Sequence, residues 1–287
     1  MNDKSARKQF FEEGYLVYPR IFEGQELERI LAACNRVLEK HTEWHDRQHP
    51  KEDFTNMRHL NDSQWHRDGL EDFKTIMELI ADPRCLGPVE QIFSGPSLFR
   101  STSYFVNPRF KSAEGNWHRD SQFMTKSDEE EKDMLKRIWN DPTTGYGIQF
   151  QIPLLDNEDI EYVPYSAGRY DSPEEYHIRM ADNQVHNREQ GMPNALRVRL
   201  KAGDGVIFNP YGLHRGRYHV DKPRRTLMLT YTPRSFPLRD FFSDQPWFEE
   251  PGHLDPLSPR ARVFFEDFIS TYRDFWTAQK KSAQKAA

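Results

Sequence analysis

Six short β-rich segments between residues 97 and 234 constrain the fold of this 287-residue chain more than any other feature. Each is rich in β-branched or aromatic residues and has Gly, Pro, Asn or Asp at its ends, as expected for short strands joined by turns. Strands in such a series are typical of a sandwich or a double-sheet jelly roll. The segments span 97–108, 146–155, 160–168, 194–200, 204–210 and 224–233.

Helical patterns flank this region on both sides. Apolar residues recur at helical spacing over 24–41, and residues 71–93 indicate two helical stretches with a break between Pro83 and Pro88. Polar residues 43–64 indicate a loop. The other predicted elements are a helix at 8–14, a strand at 15–19, a charged surface helix at 126–142, a helix at 259–276 and a polar tail at 278–287.

The chain is therefore expected to form one domain of the α+β class over residues 1–287. A helical buttress (1–96) precedes the jelly-roll core (97–234), and a C-terminal extension with a helix (235–287) follows it. Hydrophobic residues make up 36% of the chain, which is enough for one large core.

Composition narrows the functional classes. The net charge of −5 comes from 40 basic and 45 acidic residues spread along the chain, so no basic stripe of the kind that binds nucleic acid is present. No segment approaches the roughly 18 consecutive apolar residues of a membrane-spanning helix. Cys34 and Cys85 are too few for a disulfide framework. We expect a cytoplasmic protein, monomeric or homodimeric, that acts on a small molecule.

A candidate metal site begins within residues 116–123, where one residue separates His118 from Asp120. On an extended strand, residues two apart project to the same side, so both side chains can meet one ion. By itself this pair is a weak signal, because His and Asp at this spacing usually form only a surface hydrogen bond.

His214 supplies a third ligand, since it follows a β-rich segment that a jelly roll can bring beside the first pair. Two histidines and one carboxylate on one face of an octahedral ion leave the opposite positions open. Non-haem ferrous oxygenases use this arrangement to bind a co-substrate and dioxygen. The combination of the two distant segments gives the prediction its specificity.

The tetrapeptide Trp-His-Arg-Asp occurs twice, at 65–68 and at 117–120. The first copy leads directly into a helix, so Asp68 can cap or neighbour the helix start. The second copy follows a β-rich segment and is favoured as the metal site. His66 and Asp68 remain candidates for the mouth of the pocket.

The order of these motifs resembles the phytanoyl-CoA dioxygenase-like family of Fe(II)- and 2-oxoglutarate-dependent oxygenases. The resemblance runs from FFEEGYLVYPRIFEGQELERI through YFVNP, WHRDSQF, QIPLLDNEDIEYVPYSAGRY and LKAGDGVIFNPYGLHRG to PRRTLMLTY. It implies a double-stranded β-helix (jelly-roll, cupin-like) core with flanking helices, and iron held by His118, Asp120 and His214. It also implies dioxygen and 2-oxoglutarate as co-substrates, decarboxylation of 2-oxoglutarate to succinate, and hydroxylation of a small metabolite or natural-product intermediate.

The same resemblance implies an arginine, on the strand after the distal histidine, that binds the distal carboxylate of 2-oxoglutarate. Arg224 is the first candidate, and it shares a strand face with Thr226, whose hydroxyl can assist. Arg225 remains the alternative, because Leu227 and Leu229 share its parity and can equally define the inner face.

The resemblance also indicates further contacts with lower specificity. Gln151 and Tyr104 fall where family members place other co-substrate contacts, and a structural role is the alternative for each. Arg119 and Arg215 are candidates for substrate contact. The carboxylate at Asp120 argues against the halogenating relatives, which carry a small residue at this position.

Two other classes of protein stay in contention. One is a redox-silent metal enzyme on a cupin-like scaffold, and the other is a non-catalytic jelly-roll binding protein. An arginine that follows His214 on the next strand discriminates against both, because neither class needs a carboxylate-binding group there.

Overall fold

The computed structural model of the chain describes residues 3–140, 147–188 and 191–286. Its helices are α1 (Asp3–Glu12), α2 (Gly24–Gln48), α3 (Leu70–Ile80), α4 (Pro83–Phe93), α5 (Asp128–Asn140), α6 (Pro173–Arg179), α7 (Ala181–Gln184) and α8 (Pro259–Ala286). Its strands are β1 (Tyr15–Tyr18), β2 (Asn56–Arg58), β3 (Ser97–Val106), β4 (Ala113–Glu114), β5 (Ile148–Pro153), β6 (Asn157–Tyr162), β7 (Leu196–Leu200), β8 (Gly205–Phe208), β9 (His214–Tyr218) and β10 (Arg225–Pro233).

The strands form two antiparallel sheets. The larger sheet has the order β1-β8-β5-β10-β3-β2, and the smaller has the order β4-β9-β6-β7. This arrangement confirms the predicted α+β class and the two-sheet jelly roll. Both edge strands of the larger sheet come from the N-terminal part of the chain, which therefore completes the sheet in addition to supplying helices.

Strand β10 lies inside the larger sheet, and its two faces have different surroundings. Leu227 and Leu229 are buried in the main hydrophobic core together with residues of the helices. Met228 points to the opposite face, where it lines a cavity. Because successive side chains of a strand alternate between its faces, this register also decides which of the two arginines near the start of β10 faces the cavity.

The main core lies between the outer face of the larger sheet and the helices. Phe265 and Phe268 of α8 pack against Phe99 of β3, with ring centroids 5.7 and 5.2 Å apart. Ile30 and Val37 contribute the buried face of α2. Each such apolar side chain stabilises the fold by about 1.5–3 kcal/mol on burial. The helices therefore cover one face of the larger sheet, and the cavity lies on its other face.

The N-terminal predictions need three corrections. Helix α2 continues to Gln48, and the predicted loop at 43–64 also contains β2 and a 3₁₀ turn (Ser63–Trp65). The break between α3 and α4 lies at 81–82 and not between the two prolines. Asp82 caps α4 by accepting a 2.8 Å hydrogen bond from the amide of Arg84, and a proline directly after the cap suits the first helical turn because its φ is already helical.

The insertion at 126–142 is a helix, as predicted, but it is not only a solvated surface helix. Glu131, Leu135 and Ile138 of α5 are buried. Helix α8 extends into the predicted polar tail, whereas β4, β9, α6 and α7 were not predicted. Residues 141–142, Tyr146 and Ala287 of the predicted segments lie outside the described residues.

Helices long and apolar enough to span a membrane are absent from the part of the chain that the structure describes.

Candidate metal centre

His118 and His214 lie opposite each other on neighbouring backbone segments. Each donates its amide N–H to the carbonyl oxygen of the other, at 3.0 Å in both directions. Asp120 begins a 3₁₀ turn (Asp120–Phe123), and its own amide bonds the carbonyl oxygen of Pro210 at 2.9 Å. The backbone therefore joins two segments that are about a hundred residues apart in sequence and presents three side chains together.

The close approach of β4 and β9 beside these residues depends on glycine. A Cβ atom at Gly115 would lie 2.5 Å from the carbonyl oxygen of Gly216, well inside van der Waals contact. The amide of Gly115 bonds that same oxygen at 2.8 Å. A larger residue at Gly115 would push the strands apart next to the site.

The side chains of His118, Asp120 and His214 converge on one point. Nε2 of His118 lies 3.7 Å from Oδ1 of Asp120, and Nε2 of His214 lies 4.0 Å from the same oxygen. All three ligand atoms lie within 4.8 Å of one another. Two ligands that each bind an ion at about 2.0–2.2 Å lie at most about 4.4 Å apart, so both distances to Oδ1 suit a shared ion.

Hydrogen bonds behind the two imidazole rings orient them. Nδ1 of His118 lies 2.7 Å from the carbonyl oxygen of Asn116, and Nδ1 of His214 lies 2.9 Å from that of Gly212. A carbonyl can only accept, so in both rings Nδ1 carries the proton and Nε2 keeps its lone pair for a metal. Such contacts fix the ring orientation in metal sites.

Burial sets the protonation of the site. It lowers the pKa of His214 well below its ordinary value, and the nearby His118 lowers it further. Burial also raises the pKa of Asp120, while His118, Arg100 and the hydrogen bond from Gln149 act in the opposite direction. Asp120 keeps 30% of its side-chain surface accessible because it faces a cavity. The neutral imidazole of His214 is ready to bind a metal near neutral pH.

Arg119 points away from the cavity, as expected for the alternate residue of an extended segment. Its guanidinium is fully buried, pairs with Asp171 at 2.8 Å, and donates to the carbonyl oxygens of Ser166 and Tyr211. It is not among the residues that line the cavity. This placement does not fit the predicted substrate contact of Arg119, because its guanidinium is directed at the protein interior.

A buried charge network extends from Arg119 to the helical insertion. Arg179 pairs with Asp171 at 2.6 Å and with Glu131 of α5 at 2.8 Å. Glu131 also accepts a 2.6 Å hydrogen bond from the hydroxyl of Ser121, in the turn that follows the ligand Asp120. The charges of the two arginines are therefore neutralised by those of Asp171 and Glu131. Glu131 also connects α5 to the 3₁₀ turn that begins at Asp120.

One cavity of about 780 Å³ opens in front of the three ligands. Its volume lies in the range of sites for small organic ligands. The wall is built from both sheets, the 3₁₀ turn after Arg119 and the segment that follows β10. The lining residues besides the three ligands include Asn56, Arg58, Arg100, Phe105, Phe123, Met124, Gln149, Gln151, Ile160, Phe208, Tyr211, Arg215, Tyr218, Arg224, Met228, Leu238, Arg239, Asp240, Phe241 and Phe242.

Arg224 lines this cavity and Arg225 does not. The buried guanidinium of Arg224 lies 4.9 Å from the ring centres of both Phe105 and Tyr218. Its Nε has no hydrogen-bond partner among the described residues, and the nearest carboxylate oxygen, on Asp159, is 3.6 Å away. A buried donor of this kind is suited to a carboxylate that enters the cavity.

Arg225 instead faces the helical side of the sheet. Its guanidinium donates to the side-chain oxygens of Asn35 and Asn107, at 3.0 and 2.9 Å. Tyr104 lies on this side too, where its hydroxyl donates to Asn35 at 3.2 Å. Tyr104 belongs to the main core and is not part of the cavity wall, so its placement does not fit the predicted co-substrate contact.

Of three further predicted site residues, Gln151 and Arg215 line the cavity and Thr226 does not. Gln151 lines the cavity, and its Oε1 has no partner among the described residues. Thr226 is on the same strand face as Arg224, but its hydroxyl accepts a hydrogen bond from Asn157 at 2.9 Å and lies outside the lining set. Arg215 lines the cavity and is already paired with Glu161 at 2.5 Å.

The first Trp-His-Arg-Asp copy lies away from the cavity. His66 is buried, with Nε2 at 2.8 Å from the carbonyl oxygen of Leu60, and its ring packs against Phe73. Asp68 is exposed and precedes Gly69, which is the residue at the start of α3. Neither His66 nor Asp68 lines the cavity, so the suggestion that they lie at its mouth is wrong.

The matches with known proteins agree with this site. Residues 10–226 match the family described as "Phytanoyl-CoA dioxygenase (PhyH)", which is well over half of the chain. The chain belongs to the phytanoyl-CoA dioxygenase family. The family predicted from the motifs is therefore confirmed, and with it the class of Fe(II)- and 2-oxoglutarate-dependent oxygenases. No curated protein matches the chain.

Solved structures share the fold of this phytanoyl-CoA dioxygenase family member at low sequence identity. AviO1 from Streptomyces viridochromogenes Tue57 is 16% identical with a TM-score of 0.58, over 83% of this chain and 98% of AviO1. EctD from S. alaskensis, solved with 2-oxoglutarate and 5-hydroxyectoine, is 16% identical with a TM-score of 0.56, over 84% and 79%. The epimerase SnoN, solved with Fe3+, alpha ketoglutarate and nogalamycin RO, is 17% identical with a TM-score of 0.53, over 81% and 84%.

Sequence reasoning missed several residues of this family member's cavity. Gln149 precedes Gln151 by two residues, and that spacing on a strand was a usable signal that both share one face. Arg58 and Arg239 carried no such signal, because β2 was interpreted as loop and the segment after β10 has no periodicity. Arg100 lies on a predicted strand, but its direction changes at the irregular register near Thr230 of the partner strand.

Proposed function

We propose that this protein is a hydroxylase that uses Fe(II), 2-oxoglutarate and dioxygen to oxidise a small organic molecule. His118, Asp120 and His214 would hold the iron, and Arg224 would bind the distal carboxylate of 2-oxoglutarate. The observation that carries the proposal is the convergence of two imidazole nitrogens and one carboxylate on the wall of a cavity that also contains the guanidinium of Arg224. Residues 1–287 would act as one catalytic unit, since β1 and β2 complete the larger sheet.

The donor set fits a ferrous ion. One carboxylate and two imidazoles are the ligands of non-haem iron oxygenases and leave positions open for a co-substrate. Arg224 Nε and Gln151 Oε1 are buried polar atoms without hydrogen-bond partners among the described residues, so the cavity has hydrogen-bonding capacity that a polar co-substrate can satisfy. EctD and SnoN, which share the fold, were each solved with this co-substrate.

When bound, the iron supplies the oxidation, in which one oxygen atom of dioxygen enters a substrate C–H bond and the other enters succinate as 2-oxoglutarate loses carbon dioxide. The protein's own residues provide position and electrostatics. Nδ1 of each histidine donates to a backbone carbonyl, which directs both Nε2 atoms into the cavity. Gln149 holds Asp120 by its second oxygen, and Arg224 orients the co-substrate through charge-assisted hydrogen bonds.

Hydroxylation is proposed over the reactions of two similar structures, which are described as an epimerase and a carbocyclase. The Asp120 carboxylate completes three protein ligands, so no extra position is left for a halide. The remaining classes, a redox-silent cupin-type enzyme and a non-catalytic binding protein, do not need a carboxylate-binding guanidinium such as that of Arg224 in the cavity.

The test is an anaerobic titration of the protein with Fe(II) and then 2-oxoglutarate, followed by optical absorption and by binding calorimetry. We expect one equivalent of each to bind, with an absorption change on addition of 2-oxoglutarate that His118→Ala abolishes. Admission of dioxygen should then produce succinate. Binding of Fe(II) without any binding of 2-oxoglutarate would support the redox-silent class, and binding of neither would support the non-catalytic one. With a substrate in hand, gain of one oxygen atom distinguishes hydroxylation from epimerisation and ring formation.

A further inference from the structure

The part of the cavity wall formed by β2, β3 and the segment after β10 is rich in arginine. Arg58 comes from β2, Arg100 from β3 and Arg239 from the segment that follows β10. Asp240 is the carboxylate of this group, and it forms an ion pair with Arg100. Three guanidiniums and one carboxylate leave an excess of two positive charges on this part of the wall, in a chain whose net charge is −5.

Arg58 and Arg239 account for that excess. Neither side chain takes part in a hydrogen bond or ion pair among the described residues, although both line the cavity. The Arg58 guanidinium lies 4.9 and 5.0 Å from the ring centres of Phe241 and Phe242. Its partial burial there lowers its pKa, because it loses water without gaining an opposite charge. An anion brought to Arg58 would restore the missing counter-charge.

Arg100 and Arg224 are less available to a second anion. Arg100 is neutralised by Asp240, and its guanidinium also lies 4.8 Å from the ring centre of Phe242. Arg224 has Asp159 at 3.6 Å and is assigned to 2-oxoglutarate by the proposed function. The two unpaired arginines therefore form a second candidate anion site on the same cavity wall.

Apolar side chains of the wall lie open beside these arginines. Phe123 keeps 70% of its surface exposed, Met124 52% and Phe241 58%. Exposed aromatic and thioether groups that line a cavity are suited to an apolar ligand body, whose burial there is favourable. The wall thus offers both a cationic and an apolar surface to one ligand.

We infer that the substrate is an organic anion, in which a carboxylate or phosphate group pairs with Arg58 and Arg239 and an apolar body packs on Phe123, Met124 and Phe241. This inference rests on the proposed function, because it takes the Arg224 side of the cavity as occupied by 2-oxoglutarate. A guanidinium binds both carboxylate and phosphate through paired N–H donors, so the two chemistries share one site.

Three probes with one aromatic body test the inference: 2-naphthoate, 2-naphthyl phosphate and the uncharged 2-naphthamide. Their binding is measured by naphthyl fluorescence under anaerobic conditions, with and without Fe(II) and 2-oxoglutarate. We expect at least one anion to bind roughly tenfold or more tightly than the amide, as charge-assisted hydrogen bonds imply. Whichever of the two anions binds more tightly shows whether the site prefers a carboxylate or a phosphate group.

The variants locate the effect. In the double variant Arg58→Gln and Arg239→Gln, the anion preference should disappear while amide binding stays unchanged. Arg58→Lys with Arg239→Lys should keep most of the preference. Arg29→Gln removes an exposed arginine of α2 that does not line the cavity, and it should change nothing.

Two outcomes overturn the inference. One is equal binding of the amide and both anions to the unmutated protein. The other is a double Gln variant that keeps the anion preference, or that loses affinity for 2-oxoglutarate instead, since the arginines would then serve the co-substrate. Failure of the proposed function has a different signature, namely absence of 2-oxoglutarate binding while the preference governed by Arg58 and Arg239 persists.

Discussion

Nε2 of Gln149 donates a 2.6 Å hydrogen bond to Oδ2 of Asp120. The other oxygen, Oδ1, is the atom that lies 3.7 and 4.0 Å from the two histidine nitrogens. The amide therefore holds the carboxylate by the oxygen that faces away from the histidines and leaves Oδ1 in position for a metal. This contact makes Gln149 a positioning residue for the proposed iron site.

Replacement of Gln149 by alanine should lower the affinity for Fe(II) by about 10–100-fold, the usual effect of losing a contact that orients a metal ligand. The affinity is measured anaerobically, without 2-oxoglutarate, by competition with a chelator. Gln151→Ala is the matched control, because Gln151 lies on the same strand and lines the same cavity but makes no hydrogen bond to Asp120. Equal losses in both variants would show that Gln149 acts through general packing.

The assignment of iron to the second Trp-His-Arg-Asp copy predicts a sharp contrast between two aspartates. Asp120→Ala should abolish stoichiometric Fe(II) binding, whereas Asp68→Asn should leave it unchanged, because Asp68 is exposed and does not line the cavity. Metal content after anaerobic loading and desalting measures both. Loss of iron in the Asp68 variant with retention in the Asp120 variant would reverse the choice between the copies.

Much of this site was predictable because its chemistry is local. The spacing of His118 and Asp120 indicates that both side chains project to the same side of an extended segment. His214 is distant in sequence, but the predicted jelly roll is sufficient to place it beside this pair. The resemblance to the family narrowed the candidate for the 2-oxoglutarate carboxylate to Arg224 or Arg225, which lie on opposite faces of the strand. Strand alternation could not decide between them, because both faces of β10 are largely buried and the leucines that mark the helical face share parity with Arg225.

The missed features depend on tertiary contacts. Arg119 looked available next to a ligand, but Asp171 and two backbone carbonyls surround it in the folded chain. Strand β2 has three residues in a polar segment, and its pairing with β3 decides its conformation more than its own propensity does. The prediction that the protein is a monomer or homodimer stays a prediction.

Arg224→Ala should raise the Michaelis constant for 2-oxoglutarate by about 10–150-fold, since a charge-assisted hydrogen bond contributes about 1.5–3 kcal/mol. Arg225→Ala should leave that constant nearly unchanged and lower the free energy of unfolding instead, because Arg225 donates to Asn35 and Asn107 on the helical side. Succinate formation at varied 2-oxoglutarate gives the constants, and urea unfolding gives the stabilities. The opposite pattern would assign the co-substrate to Arg225.

Asp171→Asn should destabilise the protein by about 3–5 kcal/mol, because it leaves the guanidiniums of Arg119 and Arg179 buried with too little negative charge. Equilibrium unfolding in urea measures the loss. Asp156→Asn is the comparison, since Asp156 forms an exposed ion pair with Lys201 and its removal should change stability little. Similar effects of the two substitutions would mean that the buried network contributes no more than a surface pair.

Stability should fall on mild acidification, and His41 should account for part of the loss. Burial lowers the pKa of His41 to about 4, with a smaller contribution from His45, and the ring packs edge-on against Phe54 and Trp65 at 4.7 and 5.3 Å. In the unfolded chain a histidine titrates near about 6.5. Between these two values the unfolded chain binds more protons than the folded one, so the free energy of unfolding decreases as the pH falls from about 6.5 towards about 4.

His41→Gln removes one such group and should make this decrease in the free energy of unfolding shallower. His59 and His253, whose pKa values are also about 4, should preserve part of the rest, as should His66 and His214, whose pKa values are lowered by burial as well. Urea unfolding curves across this pH range measure the slopes, and an identical slope in wild type and His41→Gln would contradict the assignment.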